Sequence, residues 1–443
     1  MLSFVPSSAR SVRRACSHLA IAIAMGGAAV AVTSAFDTPA HAKEEKAKKA
    51  EYSKGFVQAY QPLNEAFSKD TPDLATVKAG IPAVIAAIET EDDRFAAGQL
   101  IYNYGSTAKD PTTQRQGLDL MLKSGKVGGE QLGLFNFIGG QLAFNLKDYD
   151  AARSYLQAAI DAGYSSDDAG ALIAESYFAQ DQAAQGLDYL SKQIAAKQAA
   201  GGTVDPKWLQ RGFAVAYNAG LGPQAAEFGA LLVESEPSAA NWGNAIGVLR
   251  IYGEYDDQGI LDLMRLAART DSLKNERDYV DYIEAADARR LPAEVNALVE
   301  EGVAGGVLQA GNVFVAEAKN VSQGRLEQDK ADLPDLAADA RSASATAATA
   351  MAAGDAHLSW KDPATAEEMY KIALTKPGVD TARVTTRLGI AQADQGKWAE
   401  AEQTFAKVDG KRQAIARLWE IYSEQKAGAT ASAQPQPAAA PGA

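Results

Sequence analysis

The feature that most constrains the fold of this chain is an internal similarity at an offset of 34 residues. The stretch "LKDYDAARSYLQAAI" (146–160) and the residues just before it match the next 34 residues in the size of their side chains. Small residues fall on small and large on large, as in the pairs Gly140/Ala174, Phe144/Phe178, Ala152/Gly186 and Leu156/Leu190. This period is typical of a repeated helix–turn–helix unit, so the chain is predicted to stack helix pairs.

Further copies of the pattern occur along the chain. The pattern consists of a small residue and an aromatic, a turn, and then a small, a large and a small residue: Gly140, Phe144, "KDY" (147–149), Ala152, Leu156 and Ala159. The other copies contain Leu388, Gly389, "GKW" (396–398), Ala401 and Phe405; Gly354, Ala366, Tyr370 and Ala373; Gly212, Tyr217, Gly220, Ala225 and Pro237; and Trp242, "GEYDD" (253–257), Gly259 and Leu263.

This pattern resembles the tetratricopeptide repeat family. The resemblance implies an all-α fold, a right-handed superhelical solenoid of antiparallel helix pairs, in which each pair contacts mainly its neighbours. The resulting division is a signal peptide (1–42), degenerate N-terminal repeats (43–130), tetratricopeptide-like repeats (131–264), an irregular helical region (265–344), C-terminal repeats with a capping helix at 412–425 (345–426), and a disordered Ala/Pro tail (427–443).

The N-terminal 42 residues have the pattern of a secretory signal peptide. Basic residues up to Arg14 precede the apolar run "LAIAIAMGGAAVAV" (19–32), and "AHA" (40–42) matches a cleavage site. The alternative is an N-terminal membrane anchor, but the run is shorter than the roughly 20 residues that a span needs. We expect cleavage before Lys43 and a periplasmic protein without an integral membrane segment, or alternatively a secreted one.

The net charge and the cysteine content limit which classes of partner and which thiol chemistry are expected. The formal net charge is −13, which disfavours nucleic acid and anionic lipid as main partners. Cys16 is the only cysteine and lies in the predicted signal peptide, so neither a disulfide framework nor a thiol nucleophile is expected.

The sequence offers little material for catalysis. His357 is the only histidine after residue 42, which disfavours Ser–His–Asp chemistry and zinc sites made of several His or Cys. We therefore predict no catalytic residue, no cofactor and no metal. Acidic pairs at 92–93, 167–168, 256–257 and 367–368 are interpreted as helix starts, a turn and a solvated face.

Two functions compete. The first is a non-enzymatic scaffold in the bacterial envelope that binds a protein or peptide. The second is an α/α-barrel enzyme acting on envelope polysaccharide, which would need converging carboxylates. The family resemblance favours the scaffold and implies a partner groove lined by first-helix residues, which here are Phe137, Gln141, Phe144, Asn145, Glu175, Phe178, Tyr217, Asn218, Arg383 and Asp394.

Overall fold

The computed structural model describes residues 50–164 and 167–433, and these contain 21 α-helices. The predicted signal peptide (1–42) and residues 434–443 of the predicted tail lie outside this part. The helices are α1 Lys54–Phe67, α2 Leu74–Ala86, α3 Glu91–Ala108, α4 Pro111–Lys123, α5 Glu130–Asn145, α6 Tyr149–Asp161, α7 Asp167–Phe178, α8 Ala183–Ala199, α9 Pro206–Asn218, α10 Gly222–Ser235, α11 Ala239–Tyr252, α12 Asp257–Arg269, α13 Glu276–Ala286, α14 Pro292–Ala304, α15 Val313–Gln323, α16 Leu326–Arg341, α17 Ala347–Ser359, α18 Pro363–Leu374, α19 Thr381–Asp394, α20 Trp398–Phe405 and α21 Gln413–Ala433.

The helices form consecutive antiparallel pairs, and each packs against the next along the chain except at the junction of α15 and α16. The all-α prediction is therefore confirmed. Helices also fill 54–123 and 276–341, where the sequence pattern is weakest. The last helix continues to Ala433, so residues 427–433 of the predicted disordered tail are helical.

A recurring turn joins the two helices of a pair. In six pairs the turn has one residue in the left-handed region, with φ from 55° to 73°: Lys109, Lys147, Asp181, Gly220, Lys361 and Gly396. The next residue begins the second helix, and Asp110, Asp148 and Asp362 do so by accepting a backbone N–H of the first turn through their carboxylates. The "KD" of the opening stretch is thus a turn followed by a helix cap.

Close packing within a pair depends on a glycine of the first helix and a large side chain 16 residues later. A Cβ added at Gly140 would lie 2.5 Å from Leu156 Cγ, and one added at Gly212 only 2.2 Å from Phe228 Cε1. Gly354 and Gly389 have the same relation to Tyr370 and Phe405. The small side chain lets the two helices approach, and the large one fills the space between them.

The C-terminal helix does not only cap the last repeat. Helix α21 packs against α20 and also against α10, α12 and α19. The Trp419 indole N–H donates to the Asp262 carbonyl at 3.0 Å, and the Gln425 amide donates to the Val233 carbonyl at 2.7 Å. These contacts join residues up to 192 positions apart, so the region from α10 onward departs from nearest-neighbour stacking.

An ionic cluster lies inside this C-terminal region. The buried Asp262 carboxylate of α12 accepts from Arg387 at 3.2 Å and from Arg412 at 2.6 Å. Arg387 also donates to Asp355 at 2.5 Å. Burial alone would raise the pKa of Asp262, but Arg387, Arg412 and Arg265 hold it below its usual value. The carboxylate therefore stays ionised inside the fold.

Candidate partner-binding surface

The first helices α9 and α11 carry the largest group of exposed aromatic and aliphatic side chains in the described residues. Tyr217 is 43% exposed, Ile251 58% and Tyr252 36%. The Tyr217 and Tyr252 rings meet edge to face at 6.3 Å, and Phe213 stacks beneath Tyr217 at 6.2 Å. We call Phe213, Tyr217, Ile251 and Tyr252 the aromatic patch. Its two tyrosines each present an apolar ring and a polar hydroxyl, a combination that suits recognition of another chain.

Local packing fixes the position of the aromatic patch. Tyr252 is the last residue of α11 and covers Gly222, where an added Cβ would lie 2.7 Å from the Tyr252 Cβ. Its hydroxyl points to the Tyr217 carbonyl at 3.5 Å. Helices α9 and α11 therefore present their C-terminal ends side by side. The exposed rings are held in place before any partner arrives.

A salt bridge joins α7 and α9. The Arg211 guanidinium donates two bonds to the Glu175 carboxylate, at 2.6 and 2.8 Å, and lies 5.3 Å from the centre of the Phe178 ring. Phe178 itself packs on Gly186. Arg211 thus contacts both of the predicted groove residues Glu175 and Phe178. These contacts chiefly join α7 to α9, which belong to neighbouring helix pairs.

The other predicted groove positions differ in what they do. Phe137 is buried and stacks on Tyr164 at 4.7 Å, so it serves the core. Phe144 is half-buried against Tyr149, with ring centres 5.4 Å apart. Three of these other positions keep accessible amide groups: Gln141 is half-buried, and Asn145 and Asn218 are exposed.

Arg383 and Asp394 do not face an open groove. Arg383 donates to the Gln258 side chain, and Asp394 accepts two bonds from Arg269, at 2.7 and 2.5 Å. Both partners lie on α12, 125 residues away. The C-terminal region folds back onto α12 and occupies this part of the predicted surface.

Sequence reasoning missed Phe213, Ile251, Tyr252 and Arg211 as members of this surface. Tyr252 follows Tyr217 by 35 residues, close to one repeat period, and this spacing was the available signal. Aromatic residues at equivalent ends of successive first helices come to lie beside one another. No such period marks Arg211.

A cavity of about 540 Å³ lies on another face, between α6, α7 and α8. Its walls include Arg153, which lies 4.3 Å from the centre of the Tyr177 ring and donates to Gln180 at 2.6 Å. The Tyr189 hydroxyl lines it and has no hydrogen-bond partner among the described residues. Burial raises the pKa of Tyr189 to about 12, so it remains a neutral donor.

Three of the acidic pairs contain residues with structural partners. Asp93 completes the capping box that Thr90 begins at the start of α3: burial would raise the pKa of Asp93, but backbone N–H groups such as that of Glu89 lower it. Asp256 caps α12. The interpretation of 367–368 as a solvated face was wrong for Glu367, which is buried and binds Lys371 and Lys397 at 2.6 and 2.7 Å. Periodicity alone gave no sign of these lysine partners.

His357 is also buried, and its ring nitrogens face Asp362 at 3.0 Å and the Leu333 carbonyl at 3.2 Å. It lies between α16 and α18 in a structural role. Within residues 50–164 and 167–433, no three His, Cys, Asp or Glu side chains gather as metal ligands. None of the helices in those ranges is long and apolar enough to cross a membrane.

Comparisons with known proteins give no family. No family model matches the chain, and no curated protein matches it. Among solved structures, the TPR2AB domain of yeast Sti1 in complex with pHSP90 is 12% identical, with 68% of this chain and 96% of that chain covered and a TM-score of 0.23. The P58(IPK) TPR domain is 10% identical (85% and 99% covered, TM-score 0.23), and the Naa15/Naa10 complex bound to HypK-THB is 14% identical (85% and 67%, TM-score 0.23). These scores carry no argument about function.

Proposed function

We propose that this chain is a non-enzymatic helical-repeat scaffold that binds an extended segment of another protein across the C-terminal ends of α9 and α11. The observation that carries the proposal is the aromatic patch, in which the exposed Tyr217 and Tyr252 rings meet edge to face and Ile251, next to Tyr252 in sequence, is 58% exposed. Large exposed apolar groups cost free energy in water and tend to mark interaction sites when they cluster.

The neighbouring groups suit an extended peptide. The rings of Tyr217 and Tyr252 offer shallow contacts for apolar side chains, and the exposed Asn218 amide can pair with peptide backbone. Pre-formed packing of the two tyrosines lowers the entropy lost on binding. The ligand is thus a segment with one or two apolar or aromatic anchors.

A selection experiment tests this surface. Peptides selected from a random library on the purified protein are measured by fluorescence anisotropy against wild type, Tyr217→Ala and Ile251→Ser. Loss of a central anchor costs about 2 kcal/mol, so affinity should fall about 30-fold. Asn218→Ala should weaken binding with little change in the thermal midpoint.

Val313→Ser is the matched control, because Val313 is 81% exposed on α15, away from this surface. It should bind selected peptides as wild type does. Equal affinity of wild type, Tyr217→Ala and Ile251→Ser would reject the proposal. So would equal losses in all variants including the control.

The proposal also places the protein in the bacterial envelope, on the strength of the signal-peptide pattern in residues 1–42. The expected mature N-terminus is Lys43. Mass spectrometry of the protein recovered from a periplasmic extract measures it, and a chain that begins at Met1 in the cytosol would contradict this location.

A further inference from the structure

The ionic cluster around Asp262 has more hydrogen-bond donors than acceptors. Arg383 Nε and Arg412 Nη2 are buried and have no acceptor among the described residues; Arg265 Nη1 also makes no hydrogen bond there, although it lies 3.6 Å from Asp262 Oδ1. Buried donors are rarely left unpaired, because the group loses water and gains nothing in return. Unpaired guanidinium donors in one cluster therefore call for an additional acceptor.

The charges of the cluster are also out of balance. Glu294 is engaged by Arg265 through two bonds, at 2.8 and 2.7 Å. Asp262 and Asp355 are then left to compensate three arginines, which are Arg383, Arg387 and Arg412.

Arg383 makes no salt bridge within the described part of the chain. Burial and the neighbouring Arg387 lower the pKa of Arg383, and the Asp355 and Asp262 carboxylates oppose this without cancelling it. The positive Arg290 lies near Arg387 at the edge of the cluster, and the negative Asp287 lies near Arg290, so these two charges offset each other. The inner part of the cluster therefore keeps an excess of positive charge.

The guanidinium groups that carry the unpaired donors bind side chains of α12 through their other nitrogens. Arg383 and Arg387 both donate to the Gln258 side-chain oxygen, and Arg412 donates to Asp262, one helical turn further along. Gln258 and Arg383 are only half-buried, so the cluster reaches the surface between α12 and α19.

We propose that Arg383, Arg412 and the Gln258 edge of α12 form a binding site for a small oxyanion of the phosphate or sulfate type. Such an ion supplies several acceptors to fixed arginine donors and neutralises the excess charge, which a water molecule cannot do. The site is separate from the aromatic patch and does not depend on the proposed function.

Equilibrium dialysis of the whole chain with inorganic phosphate, and in parallel with sulfate, at constant ionic strength tests the proposal. Wild type should bind about one ion per chain. Arg383→Gln should weaken binding at least tenfold, because a hydrogen bond to a charged group is lost. Arg277→Gln removes the same charge from a mostly exposed side chain and should bind as wild type does.

A second variant keeps the test valid if Arg383→Gln is poorly folded. Gln258→Glu places a carboxylate against Arg383 and Arg387, so it should abolish phosphate binding and raise the thermal midpoint in phosphate-free buffer. Absence of saturable binding by wild type would overturn the proposal and leave water as the partner of these donors. Unchanged binding by both Arg383→Gln and Gln258→Glu would overturn it as well.

Discussion

Replacing Asp262 with asparagine is the sharpest test of what stabilises the C-terminal region. Asp262 is fully buried, and its carboxylate is the only ion-pair partner found for Arg412 in the described residues. Asparagine keeps the size and one oxygen acceptor but removes the charge. The change leaves Arg412 buried without a counter-charge, whereas Arg387 retains Asp355.

The size of the effect follows from these contacts. Removing one partner of a buried ion pair typically costs about 3–5 kcal/mol, because the remaining charge stays desolvated and uncompensated. We expect Asp262→Asn to lower the free energy of unfolding by this amount. With a urea m-value of about 2–3 kcal/mol/M for a domain of this size, the urea midpoint should fall by about 1–2.5 M.

Urea titration followed by circular dichroism at 222 nm measures the change. Asp188→Asn is the control, because Asp188 makes an exposed i,i+4 pair with Lys192, and such pairs contribute at most about 0.5 kcal/mol. An Asp262→Asn midpoint indistinguishable from that of Asp188→Asn would refute the reasoning. It would mean that the buried arginines find other acceptors when Asp262 loses its charge.

Three further predictions concern packing and pH. Ala401→Leu should overpack the buried side of α20 and lower the free energy of unfolding by about 1–3 kcal/mol in urea titrations, whereas Ala399→Leu, exposed on the same helix, should change it by less than about 0.5 kcal/mol. Gly389→Ala should lower the thermal midpoint, because the added Cβ would lie 2.5 Å from a ring carbon, while Gly247→Ala meets nothing within 4 Å and should raise it. Burial opposes ionisation of Glu367, but hydrogen bonds from its lysine partners lower its pKa to about 2. The stability that ionised Glu367 contributes is therefore present above about pH 4.5 and is lost as the pH falls toward 2. The difference in urea midpoint between wild type and Glu367→Gln should shrink over that range, and a constant difference would contradict the assignment.

Local features of the fold could be predicted from the sequence. The Gly140–Leu156 contact and the turn at Lys147 lie within one helix pair, so short-range spacing encodes them. The same signal was available in the weaker N-terminal region, where Lys109-Asp110 repeats the "KD" turn. These features are readable because each pair buries its own small and large side chains.

Contacts between distant pairs could not be predicted in the same way. The Arg269–Asp394 and Gln258–Arg383 contacts join helices 125 residues apart, and no sequence period relates them. These contacts depend on how each helix pair is rotated relative to the one before it, summed over several pairs. A single copy of the pattern does not specify that rotation. Among the predicted groove positions, Tyr217 is exposed where neighbouring pairs meet, whereas Arg383 and Asp394 bind side chains of α12 where the chain folds back.

The return of α21 to α10 and α12 has a consequence for the order in which the chain acquires its structure. The packing partners of helices α1 to α9 are the next one or two helices to be synthesised. Helix α12 instead binds Arg412 and Trp419, which are synthesised about 150 residues later. Contacts of such long sequence separation slow folding and leave apolar surface uncovered in the meantime. A growing chain would then fold its N-terminal pairs first, and the C-terminal region would complete its packing in one late, cooperative step once α21 has been synthesised.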